Sequence, residues 1–261
     1  MLRTLRQTWR ARELLWALAE REIKTRYRRS FLGLLWSLVT PLYQVVLMTI
    51  VVKYLWHNPT PNYSIVYLCA LVPWSFFQQA VLTSCASVLR SRDMVKRVWF
   101  PRHIVPLATV GSCLFHMVMS LVILLALLLI IPVAFSWKHL VLVPLVLIEV
   151  LMVCGLSLLA AALHSFYQDV EYILTNLIQV FMFVTPVIYP IKWIPDEYEH
   201  VRSIVMLNPM ATVCEGFRSI IIYQQLPDPV NLLIAAAFAL LCFIVGWEYY
   251  RLRQAQLPEV I

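Results

Sequence analysis

The chain has 261 residues, is 61% hydrophobic and only 13% charged, and carries a net charge of +7. So little charge cannot give a water-soluble domain of this size its polar surface, so the main solvent is lipid. Six cysteines scattered through apolar runs, with no C-x-x-C among them, offer no zinc site and read as small hydrophobes.

The first element is basic. Leu15, Ala19, Ile23 and Tyr27 recur every fourth residue against a charged face of Glu13, Glu20, Lys24 and Arg28. This predicts an amphipathic interfacial helix at the N-terminus, within 1–31. Five cations crowd the nine residues from Arg21 to Arg29, and then Phe31 to Val52 carries no charged side chain. About 20 apolar residues in helix cross the roughly 30 Å hydrocarbon core of a bilayer. The run starts some 30 residues in and lacks an A-x-A-like exit, so it reads as a span and not as a cleaved leader.

Six spans are predicted, at about 32–55, 64–89, 104–132, 139–163, 170–190 and 230–249. The breaks are polar or proline-bearing: "WHNPTPNY", "RSRDMVKRVWFPRH", "FSWKH" and "HSFYQD". The expected fold is an all-α polytopic membrane protein built as one transmembrane domain, 1–261. Its parts are 1–31, spans over 32–190, an extracytoplasmic segment 191–229, a last span 230–249 and a tail 250–261. Lys and Arg set the orientation. Residues 1–31, the Arg90–His103 loop and the tail hold 16 of them, against five on the other side. Both termini are therefore expected in the cytoplasm. The positive charge faces anionic lipid and needs no nucleic acid.

Residues 188–229 are too polar to span twice and too long for a simple loop. Pro195-Asp196 can open one short helix. Asn208-Pro209 can end it and open another, with Asn208 as N-cap and Pro209 at the first helical position. Glu215 and Arg218 then lie three apart and can pair. Two re-entrant helices between spans five and six are the expectation.

Chemistry is sparse. The five isolated glycines build no phosphate-cradling loop, and neither a metal-ligand His cluster nor a G-x-S-x-G is present. Catalytic, cofactor and metal residues are therefore none. Energy for uphill movement must come from a partner or an ion gradient. Glu149 is the one strong intramembrane charge, with His116 at a similar depth. Structural pairing inside the bundle is its expected role, and a charge-coupled one its alternative.

Four stretches, "REIKTRYRRSFLGLLWSLVTP", "LVPWSFFQQAV", "VKRVWFPRHIVPLA" and "LNPMATVCEGFRSIII", resemble ABC-2-type transporter permeases. They are most similar to the branch exporting lipid-linked polysaccharide, above all O-antigen, with capsule and teichoic-acid exporters sharing the architecture. Gln168-Asp169 departs from the Arg-Asp that relatives often carry there. The resemblance implies a homodimer forming a channel in the bacterial cytoplasmic membrane. It also implies two ATP-binding-cassette ATPase subunits, which hold the ATP and Mg. It places ATPase coupling on the loop helix, at Arg92, Asp93, Met94, Lys96, Arg97 and Trp99. It places an extracytoplasmic gate at 196–207 and 209–223, with Asn208, Pro209, Met210, Glu215 and Arg218.

Sugar rings stack on aromatics, so Trp36, Tyr43 and Tyr54 on span one, and Phe181, Phe183 and Tyr189 on span five, are candidate channel-lining residues. Interfacial anchoring is the competing role for aromatics at span ends. Two other functions stay open. One is an ion-coupled transporter using Glu149 and the hairpin. The other is a membrane enzyme on lipid-linked sugars, using Asp196, Glu197, Glu199 and His200, although acids in a first helical turn also simply offset the helix dipole.

Overall fold

The computed structural model describes residues 11–257, apart from 29, 32, 59, 98, 99 and 131–135. Among these the protein is helical, with no strand. In chain order come α1 (Arg12–Tyr27), α2 (Trp36–Ile50), α3 (Tyr63–Cys85), α4 (Ser87–Arg90), α5 (Arg92–Arg97), α6 (Ile104–Ile130) and α7 (Leu142–Phe166). They are followed by α8 (Asp169–Val184), α9 (Glu199–Met206), α10 (Pro209–Ile221) and α11 (Pro229–Arg253). A π-helical stretch, Val51–Leu55, prolongs α2, and a 3-10 turn, Trp137–Val141, leads into α7.

Five segments are long and apolar enough to cross a membrane: Trp36–Leu55, Tyr63–Cys85, Ile104–Leu128, Trp137–Phe166 and Pro229–Arg253. They reproduce five of the six predicted spans. The sixth, expected at 170–190, is helical over only the 16 residues of α8. At 1.5 Å per residue that is about 24 Å, short of the hydrocarbon thickness. Pro186 is the cause. The residue before a proline is pushed out of the helical region, and Thr185 sits at φ −84°, ψ 136°.

α3 is the axis of the bundle. Its side chains are buried nearly throughout, and α2, α6, α7, α8 and α10 all pack on it. α7 and α11 form the closest helix pair. A Cβ built on Gly246 would lie 1.9 Å from the Gly155 carbonyl oxygen, so the two backbones touch where both residues are glycine. Small residues permit such an approach between membrane helices.

α1 docks on the base of α6. Leu18 and Ala19 are buried with Val95, Phe100, Ile104, Val105 and Ala108. The outer face carries a Glu20–Lys24 ion pair of 2.6 Å. The apolar stripe of the predicted interfacial helix is thus spent largely on protein.

Candidate functional site

The segment between α8 and α11 does what a plain loop cannot. α9 and α10 meet at a bend of 114°, the two arms running Asp196–Met206 and Pro209–Ile221. Asn208 caps α10: its side-chain oxygen accepts from the Met210 N–H at 2.9 Å, and Pro209 takes the first helical position as expected. Its amide nitrogen donates to Thr185 Oγ1 at 2.9 Å, tying the bend to the end of α8. α10 then runs through the bundle interior. Cys214 Sγ donates to the carbonyl of Ala70, seven residues into α3 and so about 10 Å along its axis. Every side chain of α10 from Pro209 to Arg218 is buried.

Glu215 and Arg218 pair at 2.7 Å, as their spacing predicted. Their surroundings were not legible in the sequence. Arg218 is 0% exposed. Its Nε donates to the Val66 carbonyl at 2.9 Å, one terminal nitrogen to the carbonyls of Pro186 and Tyr189, and the other to that of Val187. Glu215 accepts from the Ile191 N–H at 2.8 Å. Tyr63 adds a hydroxyl donated to the Ile188 carbonyl at 2.6 Å. The buried charge is therefore the staple that holds the extended stretch after α8 against α3. This chemistry suits Arg, whose planar fork carries five donors.

The predicted channel aromatics separate into two groups. Trp36, Tyr43 and Tyr54 are exposed on the outer face of α2, and Phe183 is exposed on α8. Phe181 is turned inward, with ring centroids 6.1 Å from Trp74 and 6.3 Å from Phe77. Tyr189 is only partly buried, and its hydroxyl donates to the carbonyls of Phe183 and Val184, closing the end of α8. α2 and α8 both pack on α3.

Of the gate residues named from sequence, Pro209, Met210, Glu215 and Arg218 are packed interior groups and Asn208 is half-buried. Sequence reasoning missed the outward face of α9, where Val201, Ile204 and Leu207 are exposed at three-residue spacing. The i, i+3, i+6 repeat was the available signal. Asp196 pairs with Arg202 at 3.1 Å, which takes one carboxylate out of the acidic cluster. Among the described residues no group of His, Cys, Asp and Glu could hold a metal.

α5 presents Arg92, Asp93, Lys96 and Arg97 to the outside while Val95 is buried and Met94 is half-buried. Trp99 lies outside the described residues. Glu149 is fully buried, and neither carboxylate oxygen has a hydrogen-bond partner, so the expected structural pairing is not found among the described residues. Leu145 and Met152, one turn to either side on the same face, are buried apolar residues.

Comparison with known proteins agrees along the chain. A profile described as ABC-2 type transporter matches residues 13–222. The chain is 30% identical over 266 residues to the O-antigen export system permease protein RfbA of Myxococcus xanthus, covering 100% of both chains. It is 25% identical to the protein of the same name from Klebsiella pneumoniae, over 95% of each. It is 23% identical to the polysialic acid transport protein KpsM of Escherichia coli, over 91% of this chain and 92% of the other.

Proposed function

This chain belongs to the ABC-2 type transporter family, and from that premise we propose that it is the channel-forming permease subunit of an ATP-driven exporter of lipid-linked polysaccharide, O-antigen in the first instance. The observation that carries this is the end-to-end similarity to an O-antigen export permease, with 100% coverage of both chains. The polysialic acid relative makes capsule polymer the second substrate class, ahead of teichoic acid.

Two copies and two cassette ATPases complete the transporter in the bacterial inner membrane, with α1, α5 and both termini in the cytoplasm by the bias of Lys and Arg. ATP and Mg belong to the ATPase. Arg92, Asp93, Met94, Lys96 and Arg97 form the coupling surface. Trp36, Tyr43, Tyr54 and Phe183, all exposed on the single chain, face the polymer between two copies. α9 and α10 cap the exit. The buried α10 is the fixed arm of that gate, and the exposed stripe Val201, Ile204 and Leu207 is its moving surface.

Export of surface polysaccharide should stop when either this chain or the ATPase is deleted, with lipid-linked polymer accumulating inside. The purified chain should hydrolyse no ATP, and the pair should. Export that persists without any cassette ATPase but collapses with the proton gradient would replace this reading with ion coupling through Glu149.

A further inference from the structure

Three membrane helices turn polar side chains toward one place. Thr40 and Gln44 are four apart on α2, Ser75 and Gln79 on α3, and His116 and Ser120 on α6, so each pair shares a helical face. All six line one cavity of about 380 Å³. Polar groups in spanning segments face a partner or a cavity because burial in hydrocarbon is costly. Some are satisfied internally: Ser120 donates to the His116 carbonyl at 3.1 Å, and His116 Nδ1 bonds the Tyr27 hydroxyl at 3.1 Å. Thr40, Gln44 and Gln79 make no hydrogen bond among the described residues. Their donors remain for whatever enters.

The electrostatics choose the sign. Arg26 is on the wall and, among the described residues, no Asp or Glu lines it, although the charge of Glu22, one turn back on α1, reaches the lining Cys113. The position chooses the source. The cavity lies where the end of α1 runs into the start of α2, the level at which a surface helix meets a span and lipid headgroups sit. A space this size holds roughly a dozen waters at about 30 Å³ each, or one headgroup.

We infer that this cavity binds the phosphate-bearing headgroup of a lipid from the leaflet beside α1, with Arg26 pairing to the phosphate and Thr40, Gln44 and Gln79 donating to its remaining oxygens. Guanidinium and phosphate form strong charge-assisted hydrogen bonds, which favours an anion over a neutral polyol. A bilayer phospholipid and a phosphorylated polyprenyl carrier present the same chemistry. The inference does not depend on which polymer is exported.

Native mass spectrometry of the full chain in detergent tests it, with four probes: phosphatidylglycerol, a polyprenyl phosphate, diacylglycerol and inorganic phosphate. At least one phosphate-bearing lipid should bind about ten-fold tighter than diacylglycerol. The paired change Arg26→Gln with Gln79→Met should remove about that factor, and Gln79→Met alone part of it. Lys53→Gln, an exposed cation at the far end of the first span, should change nothing. Preference between the two lipids identifies the source, and either supports the site. Equal binding of diacylglycerol, unchanged binding in the paired variant, or an equal loss in Lys53→Gln would overturn it. Displacement by inorganic phosphate at the same concentration would make this a free-anion site and end the lipid reading.

Discussion

Arg218 shows how one side chain decides where a backbone goes. Four carbonyls and one carboxylate converge on its guanidinium. In a low-dielectric interior such a charge persists only when all its donors are satisfied. Arg218→Lys keeps the charge and loses the fork. Glu215→Gln keeps the shape and loses the countercharge. Each should cost about 3–5 kcal/mol, seen as a lowered midpoint for loss of the monodisperse peak on heating in detergent. Midpoints equal to the parent protein would show that the staple contributes nothing. Glu149 is the opposite case, a buried carboxyl with no hydrogen-bond partner among the described residues. Burying an unpaired polar group is costly, so Glu149→Met should raise the same midpoint while export continues. Abolished export in a stable Glu149→Met protein would assign that carboxyl a transport role.

At the scale of elements, the α7–α11 contact leaves no room for a methyl group. A Cβ on Gly155 would meet the Cys242 backbone at 2.4 Å, and one on Gly246 the Gly155 oxygen at 1.9 Å. Backbone cannot step aside as a flexible side chain can, so Gly246→Ala should destabilise by more than about 2 kcal/mol. Gly111→Ala, whose nearest neighbour is the Ala19 Cβ at 3.8 Å, should be tolerated. Equal melting of the two variants would refute the contact. The base of the same helix pair carries a pH dependence. His103 lies just before α6, 5.0 Å from the Trp247 ring, and burial lowers its pKa to about 4 from 6.5. A histidine with a depressed folded pKa is held neutral. Its contribution to stability is complete above about pH 6.5 and is lost as pH falls toward 4. His103→Phe should flatten thermal stability across that window, as read by melts from pH 7 to 4.5.

For the whole molecule, the unpartnered faces matter most. α2 and α8, both packed on α3, expose large apolar side chains, and the stretch through α9 exposes Val201, Ile204 and Leu207. If α9 closes the exit between two copies, cysteine at Ile204 should crosslink copy to copy on oxidation and block export, with recovery on reduction. Crosslinking without loss of export would leave α9 as a contact and not a gate. Reversing charge at Lys96 and Arg97 should weaken ATPase co-purification and export together, because both side chains stand free of the bundle. Normal export with weakened co-purification would separate docking from transport.

The amino-acid sequence by itself determined the solvent, the place of five long spans, and the cap at Asn208-Pro209. Each is local: a run of apolar residues, a bias of cations, or a turn residue acts on its neighbours alone. It also determined the family resemblance, since ordered motifs survive as strings. The tertiary structure decided the rest. Pro186 cut the predicted span at 170–190 to the 16 residues of α8, and the stretch that follows is held by an arginine about 30 positions away in the chain. Phe181 and Phe183 are two residues apart, yet one packs on Trp74 and the other faces out. Periodicity says that they differ in direction, and only the neighbouring helix says which direction is inside. In lipid both faces of a helix are apolar, so the usual contrast between buried and wet residues is missing, and packing alone assigns them.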